Sequence, residues 1–151
     1  MNYSKETYDD VIEEIKPILE DHYQEIALHK DKIELNPNYF MYKELEDKGF
    51  VDIFTARDKN KLVGYCIVFT MPHIHYSTTL MSNVDIFYIA PEYRGKMAGI
   101  RLIKYVEKEL KEKGVEMLFH HVKVAHDFSP MLERLGYEKT EYIYGNYIGD
   151  K

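Results

Sequence analysis

A chain of 151 residues with 45% apolar and 30% charged residues has the length and balance of one globular domain. Its net charge of -6 excludes a general nucleic-acid binder, whose footprint is basic, and no apolar run is long enough for a membrane span. Cys66 is the sole cysteine, so an internal disulfide is excluded; with a polar, acidic start and no signal-like segment, a reducing cytoplasmic setting is expected.

In residues 5–27 Val11, Ile15, Ile18 and His22 follow one face, widened by Ile12, Leu19 and Ile26, which predicts a helix. Pro17 lies inside it and is expected to kink or divide it. A charged connector, 28–37, leads to a short helix that Asn36 or Asn38 caps and Gly49 ends. Residues 51–57 and 62–70 read as strands joined by the polar turn DKNK, an antiparallel hairpin. MPHIHYSTTLMSN is then a loop, too long to be a simple turn. VDIFYIA, 84–90, is a buried strand ended by Pro91. A helix over 97–113 follows, with Ile100, Ile103, Val106 and Leu110 on its inner face, and Gly114 stops it. Residues 115–124 are the next strand. AHDFSPMLERLG is a short helix that Asp127 or Ser129 caps, and YEKTEYIYGNYI supplies one or two final strands. The strand–helix–strand passage implies parallel pairing and the hairpin makes the sheet mixed. The expected class is α/β (mixed α+β), with one central, mostly antiparallel sheet flanked by helices in a single domain over 1–151.

RGKMAG sits where strand 84–90 turns into the long helix. The first helical turn has free N–H groups and the positive end of the dipole. Gly95, Ala98 and Gly99 leave its backbone open, and Arg94 and Lys96 add charge. That composition suits an anion, most naturally a diphosphate. Neither GxxxxGK[ST] nor GxGxxG is present.

FYIAPEYRGKMAGIRLI resembles the signature of the GNAT superfamily of N-acetyltransferases, in which a strand, a turn of form [QR]xxGx[GA] and a helix follow one another. Arg94, Gly95, Lys96, Met97, Ala98 and Gly99 are the matching positions, with Met97 where the family has a glycine. MLERLGYEK resembles a second, C-terminal family segment, and the likeness covers about residues 50–148. The strand usual before the first helix is not evident. The resemblance implies an acyl-CoA N-acyltransferase-like fold and acetyl-CoA as cosubstrate. The pantetheine arm would run along Phe87, Tyr88 and Ile89, where strand 84–90 splays from strand 115–124, and the diphosphate would sit on residues 94–99. Acetyl would pass directly to the amine of a small molecule or protein. In such folds homodimers are common, and the proportions and HxH loop also look similar to small acetyltransferases of tailed bacteriophages.

Amine acylation needs a proton acceptor, because an ammonium has no lone pair to attack with. Asp85 is the one carboxylate inside an apolar strand; alternation puts it on a face with Phe87 and Ile89, and it is the candidate base or substrate anchor. The family's usual acid, a tyrosine in the C-terminal helix, is matched by Leu132, which leaves Tyr142 or Tyr144 as replacements. His126 and Ser129 stand where the family carries an asparagine that touches pantetheine. His73 and His75, in the long loop, are candidates for substrate contact. No metal is expected: His73, His75, His120, His121 and His126 come without HExxH or cysteine partners, and on a strand His120 and His121 face opposite ways. The rival readings are a non-catalytic acyl-CoA or protein-binding module, which Met97 and Leu132 favour, and an enzyme for another acyl-CoA, which the pocket near Phe87 and Tyr65 would decide.

Overall fold

A computed structural model describes residues 1–150. Five strands form one sheet in chain order: β1 (Asn2–Glu6), β2 (Val51–Asp58), β3 (Lys61–Pro72), β4 (Leu80–Ile89) and β5 (Met117–His120). The first four pair antiparallel, and β4 pairs parallel with β5. Four helices accompany them: α1 (Tyr8–Ile26), α2 (Tyr39–Asp47), α3 (Ala98–Glu112) and α4 (Ser129–Arg134).

Each face of the sheet has its own core. Val11, Ile15 and Leu19 of α1 pack on Val51, Ile53, Tyr65 and Ile67, with Tyr42 of α2 at the margin. On the other face Ala98, Leu102, Val106 and Leu110 of α3 pack on Phe54, Val63, Cys66, Val68, Val84 and Ile89. Cys66 is fully buried, and burial pushes its thiol pKa up. Leu102 and Ile103 are nearly solvent-free, which is how the spacing of apolar residues along 97–113 becomes a surface-mounted helix.

Several expectations are corrected. Residues 2–6 form a strand, not the start of a helix; the segment is short, polar and at the sheet edge, so it carries no apolar alternation to read. Helix α1 begins at Tyr8, with Thr7 accepting from the amide of Asp10 (3.3 Å). It runs unbroken through Pro17, because the apolar face on both sides of the proline packs on one sheet surface. The long loop shrinks to residues 73–79, since β3 continues to Pro72 and β4 starts at Leu80, tied by a buried Thr70–Ser82 hydroxyl pair (2.7 Å). Strand β5 spans four residues where ten were expected. The C-terminal strands are absent: residues 138–150 have no regular secondary structure. There Tyr147 packs beside His29 and 5.1 Å from the ammonium of Lys32, in the connector after α1.

Candidate functional site

Asp85 sits at an irregularity in β4. Ile67 pairs with Ile86 and Val68 with Val84, so Asp85 is an extra residue in the ladder, a β-bulge. Pairing with β5 also ends here, at Val84 opposite His120. From Asp85 onward the outer edge of β4 has no strand beside it. The amide of Ala90 donates to Val63 O (2.8 Å), which by antiparallel alternation turns the backbone groups of Phe87 and Ile89 toward the open edge. Arg94 Nε reaches Ile89 O on that edge at 2.8 Å. The result is an unpaired strand edge that starts at the bulge and leads along β4 to the start of α3, the floor of a candidate groove.

The far end of the groove is the turn 94–99. Gly95 has φ +70, a left-handed conformation that favours glycine there. Met97 has φ -71, so the methionine occupies the glycine position of the motif without backbone strain. No side chain caps α3. Among the described residues the amides of Met97, Ala98, Gly99 and Ile100 have no hydrogen-bond acceptor, and a Cβ at Gly99 would meet the side chains of Phe87, Ile89 and Met131 at 3.5–3.6 Å, ordinary contact distance. Free amides at a helix start, beside an open strand edge, fit an elongated ligand with an anionic end.

A family model for the acetyltransferase (GNAT) family matches residues 12–137. The chain belongs to that family. Solved structures share the fold of this GNAT protein. An aminoglycoside acetyltransferase from an uncultured soil metagenomic sample, in complex with sisomicin, superposes with TM-score 0.74 and 17% identity over 99% of this chain and 96% of that one. A ribosomal-protein-alanine N-acetyltransferase from Brucella melitensis gives 0.71 and 18%, over 97% and 99%. A predicted acetyltransferase with acetyl-CoA from Clostridium acetobutylicum gives 0.72 and 16%, over 96% and 95%. A search of curated proteins by sequence returns no match.

The bulge changes which face Asp85 uses. Phe87 and Ile89 pack toward α3, as alternation requires, but the Asp85 carboxyl turns to the other face and accepts a hydrogen bond from Tyr42 Oη of α2 (3.0 Å). The expectation that Asp85 shares a face with Phe87 and Ile89 is therefore corrected. The residue is exposed at its surface, yet the protein packed around its carboxyl raises the pKa. The Tyr42 bond and the nearby His121 and Lys123 oppose that rise without cancelling it.

The turn's basic side chains are already engaged. Arg94 makes a two-pronged pair with Glu25 of α1 (2.6 and 2.9 Å) and lies 5.8 Å from the Tyr88 ring centre. Its guanidinium holds the Glu25 carboxyl below the usual carboxylate range. Lys96 donates to Glu92 O (2.9 Å) and sits over Tyr93. His126, in a 3-10 turn after β5, places Nδ1 3.1 Å from Glu25 Oε1. Glu25 thus links a residue that follows β4 with one that follows β5. Ser129 opens α4 and donates its amide to Asp127 (2.8 Å), but the cap position is Phe128, which makes no side-chain capping bond, so neither Asp127 nor Ser129 is the cap.

Among the described residues the remaining candidates make no hydrogen bond to Asp85 or to the turn 94–99. Tyr142 and Tyr144 are 74% and 92% exposed on the C-terminal tail, and Leu132 is buried. His73 and His75 stack at the tip of the β3–β4 loop, where the His75 amide donates to His73 Nδ1 (3.0 Å); among the described residues no bond links them to Asp85. No group of three or more His, Cys, Asp or Glu able to hold a metal occurs among the described residues, and no described helix is long and apolar enough to cross a membrane. Tyr42, Glu25 and His121 were missed by the sequence reading. Tyr42 is 43 residues from Asp85 and Glu25 is 69 from Arg94, so only the tertiary fold joins them.

Proposed function

We propose that this protein is an N-acetyltransferase that moves acetyl from acetyl-CoA to a primary amine by direct attack. One observation carries the reading: a single groove joins a carboxylate at the bulge, an open strand edge and an uncapped helix start, in that order. Bound there, acetyl-CoA supplies an activated acyl thioester. The amides of residues 97–100 hold the diphosphate. The open backbone groups of Phe87 and the amide of Ile89, whose carbonyl Arg94 already holds, take the pantetheine amides as a further strand would, which aims the thioester toward Asp85. Asp85 accepts a proton from the incoming ammonium, directly or through one water, and its raised pKa suits that work. The freed amine forms the new C–N bond, the C–S bond breaks, and the thiolate takes its proton from solvent, because Tyr142 and Tyr144 stand exposed on the tail. Arg94 and His126 act through Glu25, shaping the groove without themselves touching the cosubstrate. Two fold neighbours are named for amine acceptors, an aminoglycoside and a ribosomal-protein alanine, and the amine class of acceptor is proposed on the same grounds.

Incubation with acetyl-CoA and a panel of aminoglycosides, polyamines and peptides, read by mass spectrometry and thiol release, tests the reading. Acetylation of at least one amine with matched thiol release is expected. Acetyl-CoA binding without transfer to any acceptor leaves the non-catalytic module as the better account.

A further inference from the structure

The bulge turns Asp85 toward α2, and α2 is built to receive it. Asn38 caps that helix by accepting from the Met41 amide (3.0 Å), which fixes the first turn and the Tyr42 position within it. The Tyr42 ring packs against Phe69 of β3 (6.1 Å between centres), so the phenol is held from two sides. Its hydroxyl donates to Asp85 Oδ2, and among the described residues Asp85 Oδ1 has no partner. Burial, with Asp85 next, raises the phenol pKa, so the phenol keeps its proton and remains a donor across the neutral range. One carboxylate oxygen is therefore clamped and the other is free.

We propose that Tyr42 is a positioning residue of the transfer reaction: its phenol clamps Oδ2 of Asp85 so that Oδ1 is presented to the acceptor amine. The proposal rests on the reading of Asp85 as proton acceptor. Around the carboxyl stand Tyr42 of α2, Tyr65 and Cys66 of β3, and His121 and Lys123 beyond β5. Of these, Tyr42 alone bonds the carboxylate directly, and that bond favours its ionised form. Removing the hydroxyl makes Asp85 easier to protonate, whereas a more acidic phenol makes it harder.

The test titrates the Asp85 carboxyl by 13C NMR in the wild-type protein and in Tyr42→Phe, with Asp85→Asn identifying the resonance, and follows kcat/KM against pH. The Tyr42→Phe midpoint is expected to move to higher pH. The acid limb of kcat/KM moves with it, so activity at about pH 5.5 falls by about fivefold while the high-pH plateau and the KM for acetyl-CoA change little. Installing 3,5-difluorotyrosine at position 42, a stronger donor of nearly the same shape, is expected to move the midpoint the other way and guards against a folding defect in the phenylalanine variant. An unmoved Asp85 midpoint in both variants overturns the proposal, as does a moved midpoint that leaves the acid limb in place. Full activity in Asp85→Asn instead overturns the assignment of Asp85 as proton acceptor, a failure of the function reading that the NMR titration separates from any failure at Tyr42.

Discussion

Replacing Asp85 with asparagine should remove catalysis and leave the protein slightly more stable. The carboxylate is the only acidic group at the bulge, and losing a general base costs about 10²–10⁴ in rate, or about 3–5 kcal/mol of barrier. The amide keeps the shape and still accepts from Tyr42 Oη, so the α2 contact survives. The stability effect has the opposite sign to that of most carboxylates. Burial raises the folded pKa, so the folded chain holds this proton more tightly than the unfolded chain. Stability from this group is greatest below the ordinary aspartate range and declines as pH rises toward the folded pKa. Because Asp85 is open to solvent, the gain on neutralising it at pH 7 is small, ~0.5 kcal/mol after screening. Asp52 is the internal contrast: 3% exposed, it pairs with Lys5 (2.6 Å) and Lys113 (2.7 Å), and Asp52→Asn should destabilise by ~3 kcal/mol. Steady-state kinetics, acetyl-CoA affinity and urea denaturation of both variants check this. An Asp85→Asn protein with near wild-type kcat/KM, or one losing as much stability as Asp52→Asn, refutes the reasoning.

Glu25→Gln removes the carboxylate that joins Arg94 and His126. With the Arg94 pair lowering the folded pKa, Glu25 stabilises the protein above the normal carboxylate range and loses that contribution as pH falls through the depressed value. The variant should lose ~1 kcal/mol at pH 7 and show a shallower acid decline in urea denaturation. His120 lies among Phe87, Phe128 and Tyr137 with neither ring nitrogen bonded, and burial lowers its pKa from 6.5 to about 4. As pH falls the unfolded chain takes this proton first, so stability drops between about pH 6.5 and about pH 4, by ~3 kcal/mol in total. His120→Phe should flatten that slope and raise stability at pH 5; an unchanged slope would mean the imidazole finds a partner in solution.

The groove was legible in outline because its parts are local in sequence. The apolar run of β4, the glycine at φ +70 and the face of α3 lie within residues 80–112, and each follows from spacing or backbone chemistry that a sequence displays. The bulge was not legible: VDIF alternates perfectly well as a regular strand, and the extra residue is set by the register between β3 and β4. That one slip moved Asp85 to the opposite face and hid Tyr42. Arg94 read as charge for an anion and His126 as a contact for pantetheine, since nothing in RGKMAG or AHDF shows a glutamate from α1. The tail failed differently. YEKTEYIYGNYI has strand composition, but a strand forms only where an edge accepts it, and residues 138–150 pair with no strand after Tyr137 donates to Glu107 of α3 (2.6 Å).

Calorimetric titration of the protein with acetyl-CoA bears most directly on the groove. The account predicts saturable binding at one site per chain, with amides of residues 97–100 and of Phe87 and Ile89 shifting together in the NMR spectrum of the complex. A folded protein that takes up no acetyl-CoA, or takes it up with those amides undisturbed, contradicts the account.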